Sequence, residues 1–302
     1  MNPYPKKILS IPQQLQAYMD AGMTVPSVEE ATKVLETVGY YRLRGYCFHL
    51  YDNTTKKYRP NTNFSDIVKL YQFDCKLSHL LFNMTSEIEI SLRSRLSNAL
   101  LTHHDALILL DSSIFSDKKL FWKNLSSISS EIARSNDVFI QYHFEKYDGK
   151  IPVWAAVEIM SFGTLSKTIK NLKTGIHSAY NILANYYCYQ TKQHNAVKPS
   201  LKMLSSWIQA VTILRNMCAH NSRIYNRTIN TFPEILLADR SPSASKRNGL
   251  YQILLAMKYL RPSDESWNAF YSGLQKLFSE YQGYFDINCL NFPSDWTEHL
   301  SI

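Results

Sequence analysis

The feature that most constrains the fold of this chain is a stretch from about residue 65 to about residue 102 that contains neither glycine nor proline. Apolar residues recur in it at steps of three, four and seven, which is the spacing of one face of an α-helix. That apolar stripe consists of Ile67, Leu70, Leu77, Leu81, Met84, Ile88 and Leu92. The pattern therefore predicts one long helix with a single apolar face.

Most of the other segments also predict helices. Their approximate ranges are 117–134, 137–147, 153–162, 164–173, 178–190, 199–225, 250–260 and 264–281. Ser27, followed three residues later by Glu30, has the spacing of a capping box and predicts a helix that runs towards Gly39. The segment 48–64 holds turn-forming residues and predicts irregular structure that can include a short hairpin. The segment 239–249 predicts a polar loop.

These patterns predict a mainly all-α fold. No internal repeat and no linker rich in proline, glycine or serine divides the chain. We therefore expect one helical domain over residues 1–302, in which residues 1–63 form an N-terminal elaboration and residues 64–302 form the helical core.

The composition excludes several classes of protein. Hydrophobic residues make up 45% of the chain, too many for a mainly disordered protein. Only 9 of the 302 residues are glycine and no glycine-rich phosphate loop is present, which argues against Rossmann and P-loop enzymes. The five cysteines are scattered without a C-x-x-C pair, which favours a reducing compartment. Without a signal peptide or a long apolar run, we expect a cytoplasmic protein with no membrane association.

The charge favours an anionic partner. There are 33 Lys+Arg against 25 Asp+Glu, a formal net charge of +8. Nucleic acid is the first candidate for the partner of such a chain, and an ordinary basic surface is the alternative.

The most informative segment is 207–227, WIQAVTILRNMCAHNSRIYNR. On a helix at about 100° per residue, its core-facing stripe would consist of Trp207, Val211, Leu214, Cys218 and Tyr225. The opposite face would carry a ladder of Asn216, His220, Arg223 and Arg227. The segment contains no Asp or Glu, so this ladder has no acid to pair with inside its own helix.

The chemistry that such a ladder suits is cleavage of RNA. The 2′-OH of RNA is the nucleophile, so the protein needs a group that titrates near neutrality and a fixed cation for the phosphate. His220 would act as general acid or base and Arg215 would bind the phosphate, with no metal or other cofactor. Asn216 would orient one or both of them, by holding the tautomer of His220 or by bonding a phosphate oxygen. Arg215 lies about 140° from His220 on an ideal helix, so the two would meet across a shared phosphate or from two copies of the helix. The alternative is that these side chains bind an acidic surface elsewhere in the protein.

Arg215 to His220 resembles the R-x4-6-H signature of HEPN ribonucleases, and LRNMCAHNSRIYNR resembles the hallmark of Abi-like abortive-infection proteins of the AbiD/AbiF type. Other stretches resemble further motifs of that family in the same order. They are GYYRLRGY at 39–46, LYQFD at 70–74, EIEISLR at 87–93, PVW at 152–154 with EIMSFGTLS at 158–166, and NFPSDW at 291–296. The resemblance covers about residues 10–300.

This resemblance implies a HEPN-type helical bundle and a metal-independent endoribonuclease that leaves a 2′,3′-cyclic phosphate. It implies a homodimer in which two R-x4-6-H motifs face one cleft. It also implies a growth-arresting toxin in phage defence, with a small non-coding RNA antitoxin as a further partner.

Other basic and polar residues are candidates for RNA contacts. They are Arg223, Arg227, Asn221, Arg42, Arg44 and Arg93. Arg42 and Arg44 lie among tyrosines, which suits base stacking and phosphate contact, although packing of the tyrosine rings in the core is an equal alternative. Glu89 and Arg93 have the i, i+4 spacing of a surface salt bridge; the functional alternative is that Glu87 or Arg93 lines the cleft.

Two other functions remain open at this point. In one, the basic side chains only hold RNA, and the protein is a non-catalytic RNA-binding or adaptor protein of a defence or toxin–antitoxin system. In the other, it is a structural protein that binds an acidic protein partner. A metal site is suggested by His103, His104 and Asp105. Adjacent side chains on a helix diverge by about 100°, so they are poorly placed to share one ion, and we predict no metal site there.

Overall fold

The structure is a computed structural model that describes residues 8–190, 195–241 and 249–302. Thirteen α-helices lie within these residues: α1 (Ile11–Asp20), α2 (Val28–Thr37), α3 (Tyr40–Cys47), α4 (Phe64–Leu101), α5 (Lys118–Arg134), α6 (Val138–Lys146), α7 (Val153–Ile159), α8 (Phe162–Lys170), α9 (Ala179–Asn185), α10 (Leu201–Ala219), α11 (Leu250–Leu260), α12 (Asp264–Glu280) and α13 (Trp296–Leu300). Two antiparallel pairs of two-residue strands accompany them: β1 (Tyr51–Asp52) with β2 (Lys57–Tyr58), and β3 (Tyr189–Gln190) with β4 (Ala196–Val197). The prediction of a mainly all-α fold is confirmed.

The long helix α4 is the centre of the fold. It begins at Phe64, where the Asn63 side chain accepts a hydrogen bond from the backbone N–H of Ser65 at 2.9 Å, and it ends at Leu101. Every member of the predicted apolar stripe is at most 3% exposed. Helices α3, α7, α9, α10 and α12 pack around α4, because a stripe of this length needs several partners to cover it.

The N-terminal elaboration is more helical than the sequence patterns predicted. Ser27 caps α2 by accepting a hydrogen bond from the backbone N–H of Glu30 at 3.2 Å, as expected, and Gly39 has a φ of 87° just after that helix. The hairpin in segment 48–64 is present as β1 and β2. Helices α1 and α3 were not predicted. Of the predicted polar loop at 239–249, residues 242–248 lie outside the described residues.

Helix α10 ends six residues earlier than predicted, at Ala219. Asn221 has a φ of 50°, and the N–H groups of Asn221 and Ser222 bond to the carbonyls of Cys218 (3.0 Å) and Met217 (2.8 Å). This is the hydrogen-bond pattern of a Schellman motif, in which a left-handed residue, often Asn, stops the helix. The predicted ladder on one helical face is therefore wrong, because Arg223 and Arg227 lie on the non-helical segment that follows.

A buried carboxylate on α4 holds that segment in place. Asp74 is 2% exposed and accepts hydrogen bonds from the Tyr46 hydroxyl (2.7 Å) and from the backbone N–H groups of Ile224 (3.1 Å) and Tyr225 (2.8 Å). Burial raises the pKa of Asp74, and the three donors oppose that shift because they stabilise the charged form. Asp74 thus joins α3, α4 and the segment after α10.

No helix among the described residues has both the length and the apolar character needed to cross a membrane.

We expect Asp74→Ala to lower the free energy of unfolding by roughly 3 kcal/mol or more, because three buried donors lose their acceptor together. Chemical denaturation followed by circular dichroism measures this loss. The matched control is Asp66→Ala, which removes an exposed acid from the first turn of the same helix and is expected to cost at most about 1 kcal/mol. Equal losses in the two variants would contradict the role assigned to Asp74.

Candidate functional site

The R-x4-H sequence lies at the C-terminal end of α10. Arg215 and Asn216 belong to the last turns of the helix, and His220 is its C-cap residue. The predicted core stripe of this segment is confirmed, since Trp207, Val211, Leu214, Cys218 and Tyr225 are all at most 5% exposed. With that stripe buried, Asn216 and His220 are exposed and Arg215 is half-buried.

Arg215 is held by two side chains. Its Nη2 lies 2.9 Å from Oε2 of Glu89 on α4, and its Nη1 donates to Oδ1 of Asn216 at 3.2 Å. The backbone N–H of His220 donates to the carbonyl of Asn216 at 3.0 Å. The Asn216 side chain thus contacts the arginine of the motif, and its backbone carbonyl accepts the last helical hydrogen bond, from the histidine. The acid absent from α10 is supplied by the neighbouring helix.

Glu89 also binds Arg93, so the predicted surface salt bridge is in fact buried. The side chain of Arg93 is 11% exposed and that of Glu89 is 7% exposed, because α7 and α10 cover this part of α4. Arg93 further donates to the backbone carbonyls of Val157 and, at 2.9 Å, Glu158, near the end of α7. One carboxylate thus lies between two guanidinium groups, and the cluster keeps a net charge of about +1 at neutral pH.

The segment after His220 is bound to α3. Arg42 donates through Nη1 to the carbonyl of Asn221 at 2.9 Å, although the two residues are 179 positions apart in the sequence. Arg223 donates to the carbonyl of Gly45, and its guanidinium lies 5.9 Å from the centre of the Tyr46 ring. The stretches GYYRLRGY and NMCAHNSRIY, which the sequence only places in order, therefore meet in space.

Two adjoining cavities open beside these contacts. The first has a volume of about 570 Å³ and is lined by His220 and Arg223 together with residues of α3 and the turn before it. The second, of about 390 Å³, lies against α4 and is lined by Tyr71, Asp74, Cys75, Ser78 and His79. Both are also lined by Arg42, Tyr46, Asn221 and Ser222. We call the first the His220 groove and the second the α4 cavity.

The remaining predicted contacts differ in their surroundings. Arg44 and Arg227 are exposed, and their side chains have no hydrogen-bond or ion-pair partner in the described part of the chain. Arg93, in contrast, forms an ion pair with Glu89 and a hydrogen bond to a carbonyl near the end of α7. These contacts favour a role in supporting the site over a direct contact with RNA. Among the described residues, no three His, Cys, Asp or Glu side chains group as a metal-ligand set.

The sequence patterns did not predict the roles of Asp74 and Glu89. Both lie inside stretches that resemble family motifs, and both occupy positions of the buried face of α4. Asp74 follows Leu70 by four residues and precedes Leu77 by three, and Glu89 precedes Leu92 by three. An acid at a helical core position is costly unless donors satisfy it, so its presence there signals a buried partner.

One family model matches the chain. It is described as Abi-like protein and matches residues 33–226, a span that includes Arg42, Asp74, Glu89, Arg215 and His220. Neither the curated proteins nor the solved structures contain a match to this chain.

We expect Glu89→Gln to lower the free energy of unfolding by about 2 to 4 kcal/mol, because two guanidinium groups lose the charge that lies between them. The control is Glu87→Gln on the same helix. Glu87 is exposed and accepts a hydrogen bond from Ser266 at 2.7 Å, and its loss is expected to stay within about 0.5 kcal/mol. Denaturant titration of both variants tests this. A Glu89→Gln protein as stable as the Glu87→Gln protein would refute the importance of the cluster.

Proposed function

Because the chain belongs to the Abi-like protein family, and this family implies abortive-infection phage defence, we propose that it is a metal-independent endoribonuclease acting as a growth-arresting toxin. The observation that carries the proposal is the arrangement around His220. Its exposed imidazole lines a groove with Arg42 and Arg223, and it follows an arginine that Glu89 and Asn216 hold in place.

In this reaction the RNA supplies the nucleophile. The 2′-oxygen forms a bond to phosphorus, the bond from phosphorus to the 5′-oxygen breaks, and the products are a 2′,3′-cyclic phosphate and a 5′-hydroxyl. One proton leaves the 2′-hydroxyl and one reaches the departing 5′-oxygen. His220 acts as general acid or base in these transfers, for which an imidazole suits neutral pH.

Arg215 binds the reacting phosphate. A guanidinium that is already fixed in position stabilises the charge that develops on the phosphate oxygens, because it need not be ordered during the reaction. Glu89 orients Arg215 but does not neutralise the site, because Arg93 shares the same carboxylate. Arg93 is therefore a positioning residue in this proposal, and Asn216 orients Arg215 and the turn that carries His220.

The neighbouring basic residues bind flanking phosphates. Arg42 and Arg223 each use one nitrogen on a backbone carbonyl of the protein, which leaves other donors of the same guanidinium for RNA. The exposed Arg44 and Arg227 extend the positive surface. Asn221 connects the His220 groove with the α4 cavity.

His220→Ala and Arg215→Ala are each expected to reduce cleavage of labelled RNA in EDTA by about 10²- to 10⁴-fold. Thermal melting checks that both variants are folded. His177→Ala and Arg134→Ala serve as matched controls, because both residues are exposed and lie outside the two cavities. Cleavage at the wild-type rate by the His220→Ala protein would overturn the proposal.

The same assay separates the nuclease from the RNA-binding alternative. A protein that only holds RNA would bind with log K falling by about 0.7 per phosphate contact against log salt, and would give no product. That result would replace the nuclease proposal with the non-catalytic one.

We further propose that the active form is a homodimer in which Arg215 of one copy serves the phosphate near His220 of the other. Mixing Arg215→Ala with His220→Ala protein is then expected to restore cleavage, because mixed dimers contain one composite site with both groups intact. Light scattering of the wild type measures the mass. A monomeric wild type, or mixtures as inactive as either variant alone, would contradict the composite site.

A further inference from the structure

The α4 cavity lies between α3, α4 and residues 221–222, and it shares four lining residues with the His220 groove. Its volume of about 390 Å³ is near the lower end of the range for small-ligand sites. A cavity of this size holds one planar group with an attached sugar and is too small for a stack of several.

Two tyrosine rings in the lining of the cavity pack against each other. The ring of Tyr71 packs edge-on against that of Tyr46, with the ring centres 5.6 Å apart and the planes at 80°. The Tyr46 hydroxyl in turn donates to the buried Asp74 at 2.7 Å. A ring held in this way offers a stacking surface at little entropic cost.

The lining also includes polar side chains that form no hydrogen bond within the described part of the protein. Across residues 8–190, 195–241 and 249–302, the side chains of His79, Asn221 and Ser222 have no hydrogen-bond partner, and all three line the cavity. The backbone of Asn221 is fixed by its left-handed conformation and by the bond from Arg42. Its side-chain amide therefore offers a donor and an acceptor from a defined place.

We propose that the α4 cavity binds one nucleobase of an RNA strand, beside the phosphate that lies in the His220 groove. Single-stranded RNA is read by aromatic stacking and by hydrogen bonds to the edges of unstacked bases, and the lining of this cavity contains groups for both. Arg42 and Asn221 line both spaces, so a nucleotide whose base enters the cavity has its phosphate at the groove. The inference takes its substrate from the proposed nuclease and adds a preference for one base at the cleavage site.

The test uses the whole 302-residue chain and the four nucleoside 3′-monophosphates, titrated by calorimetry in EDTA, with inorganic phosphate as a fifth ligand. We expect one nucleotide to bind the wild type at least about tenfold more tightly than the weakest, the difference that one unpaired polar contact produces. Tyr71→Ala and Asn221→Gly are expected to remove that preference. Tyr71→Ala, whose residue lines the α4 cavity and not the His220 groove, is expected to leave the affinity for inorganic phosphate unchanged.

One variant preserves the backbone turn, and a second serves as a control. Glycine adopts the left-handed conformation of residue 221 without strain, so Asn221→Gly removes the amide and keeps the turn even if Tyr71→Ala is unstable. Tyr142→Ala is the control, because Tyr142 is an exposed tyrosine that lies outside both cavities and is expected to leave the preference intact.

The outcomes distinguish this inference from the nuclease proposal. Equal affinity for all four nucleotides, or an unchanged preference in the folded Tyr71→Ala and Asn221→Gly proteins, would overturn the base pocket. RNA cleavage with no base preference would likewise overturn the pocket while supporting the nuclease. Base-selective binding by a wild type that cleaves no RNA would support the pocket and overturn the nuclease.

Discussion

The burial of two carboxylates on α4 is the constraint on which the rest of the site depends. Asp74 accepts hydrogen bonds from the backbone N–H groups of Ile224 and Tyr225, so the segment that follows α10 is bound to α4. Burial of a carboxylate destabilises the fold unless hydrogen-bond donors or cations surround it. Besides the Tyr46 hydroxyl, the donors to Asp74 are backbone groups four and five residues after His220, so the burial of Asp74 fixes the segment that follows the histidine.

Glu89 is the second buried carboxylate of α4, and it too is surrounded by donors. It lies between Arg93 and Arg215. Its ion pair with Arg215 joins α4 to α10, and Arg93, which lies on α4 itself, reaches the end of α7. The arrangement orients Arg215 and leaves a surplus of positive charge. A scaffold helix that carries no proposed catalytic group thus controls the geometry of both the arginine and the histidine.

The local elements were largely predictable because their signals are local. The long helix, the cap at Ser27 and the buried stripe of α10 follow from hydrophobic spacing and capping chemistry. The end of α10 was not predicted, because the helical spacing continues through Tyr225 while a left-handed Asn221 and the acceptor on Asp74 stop the helix at Ala219. The acceptor Asp74 lies on another helix, so the spacing of residues within α10 does not reveal it.

The sequence by itself determined that the chain is helical, that one face of α10 is buried, and which basic and polar side chains are available near His220. Only the tertiary structure decided that Arg215 is paired with Glu89, that Arg93 is buried, and that Arg42 reaches the turn after His220. Helix formation depends on neighbours three and four residues apart. The partners of a side chain depend on which segments pack together, and the partner of Arg42 lies 179 residues away in the sequence.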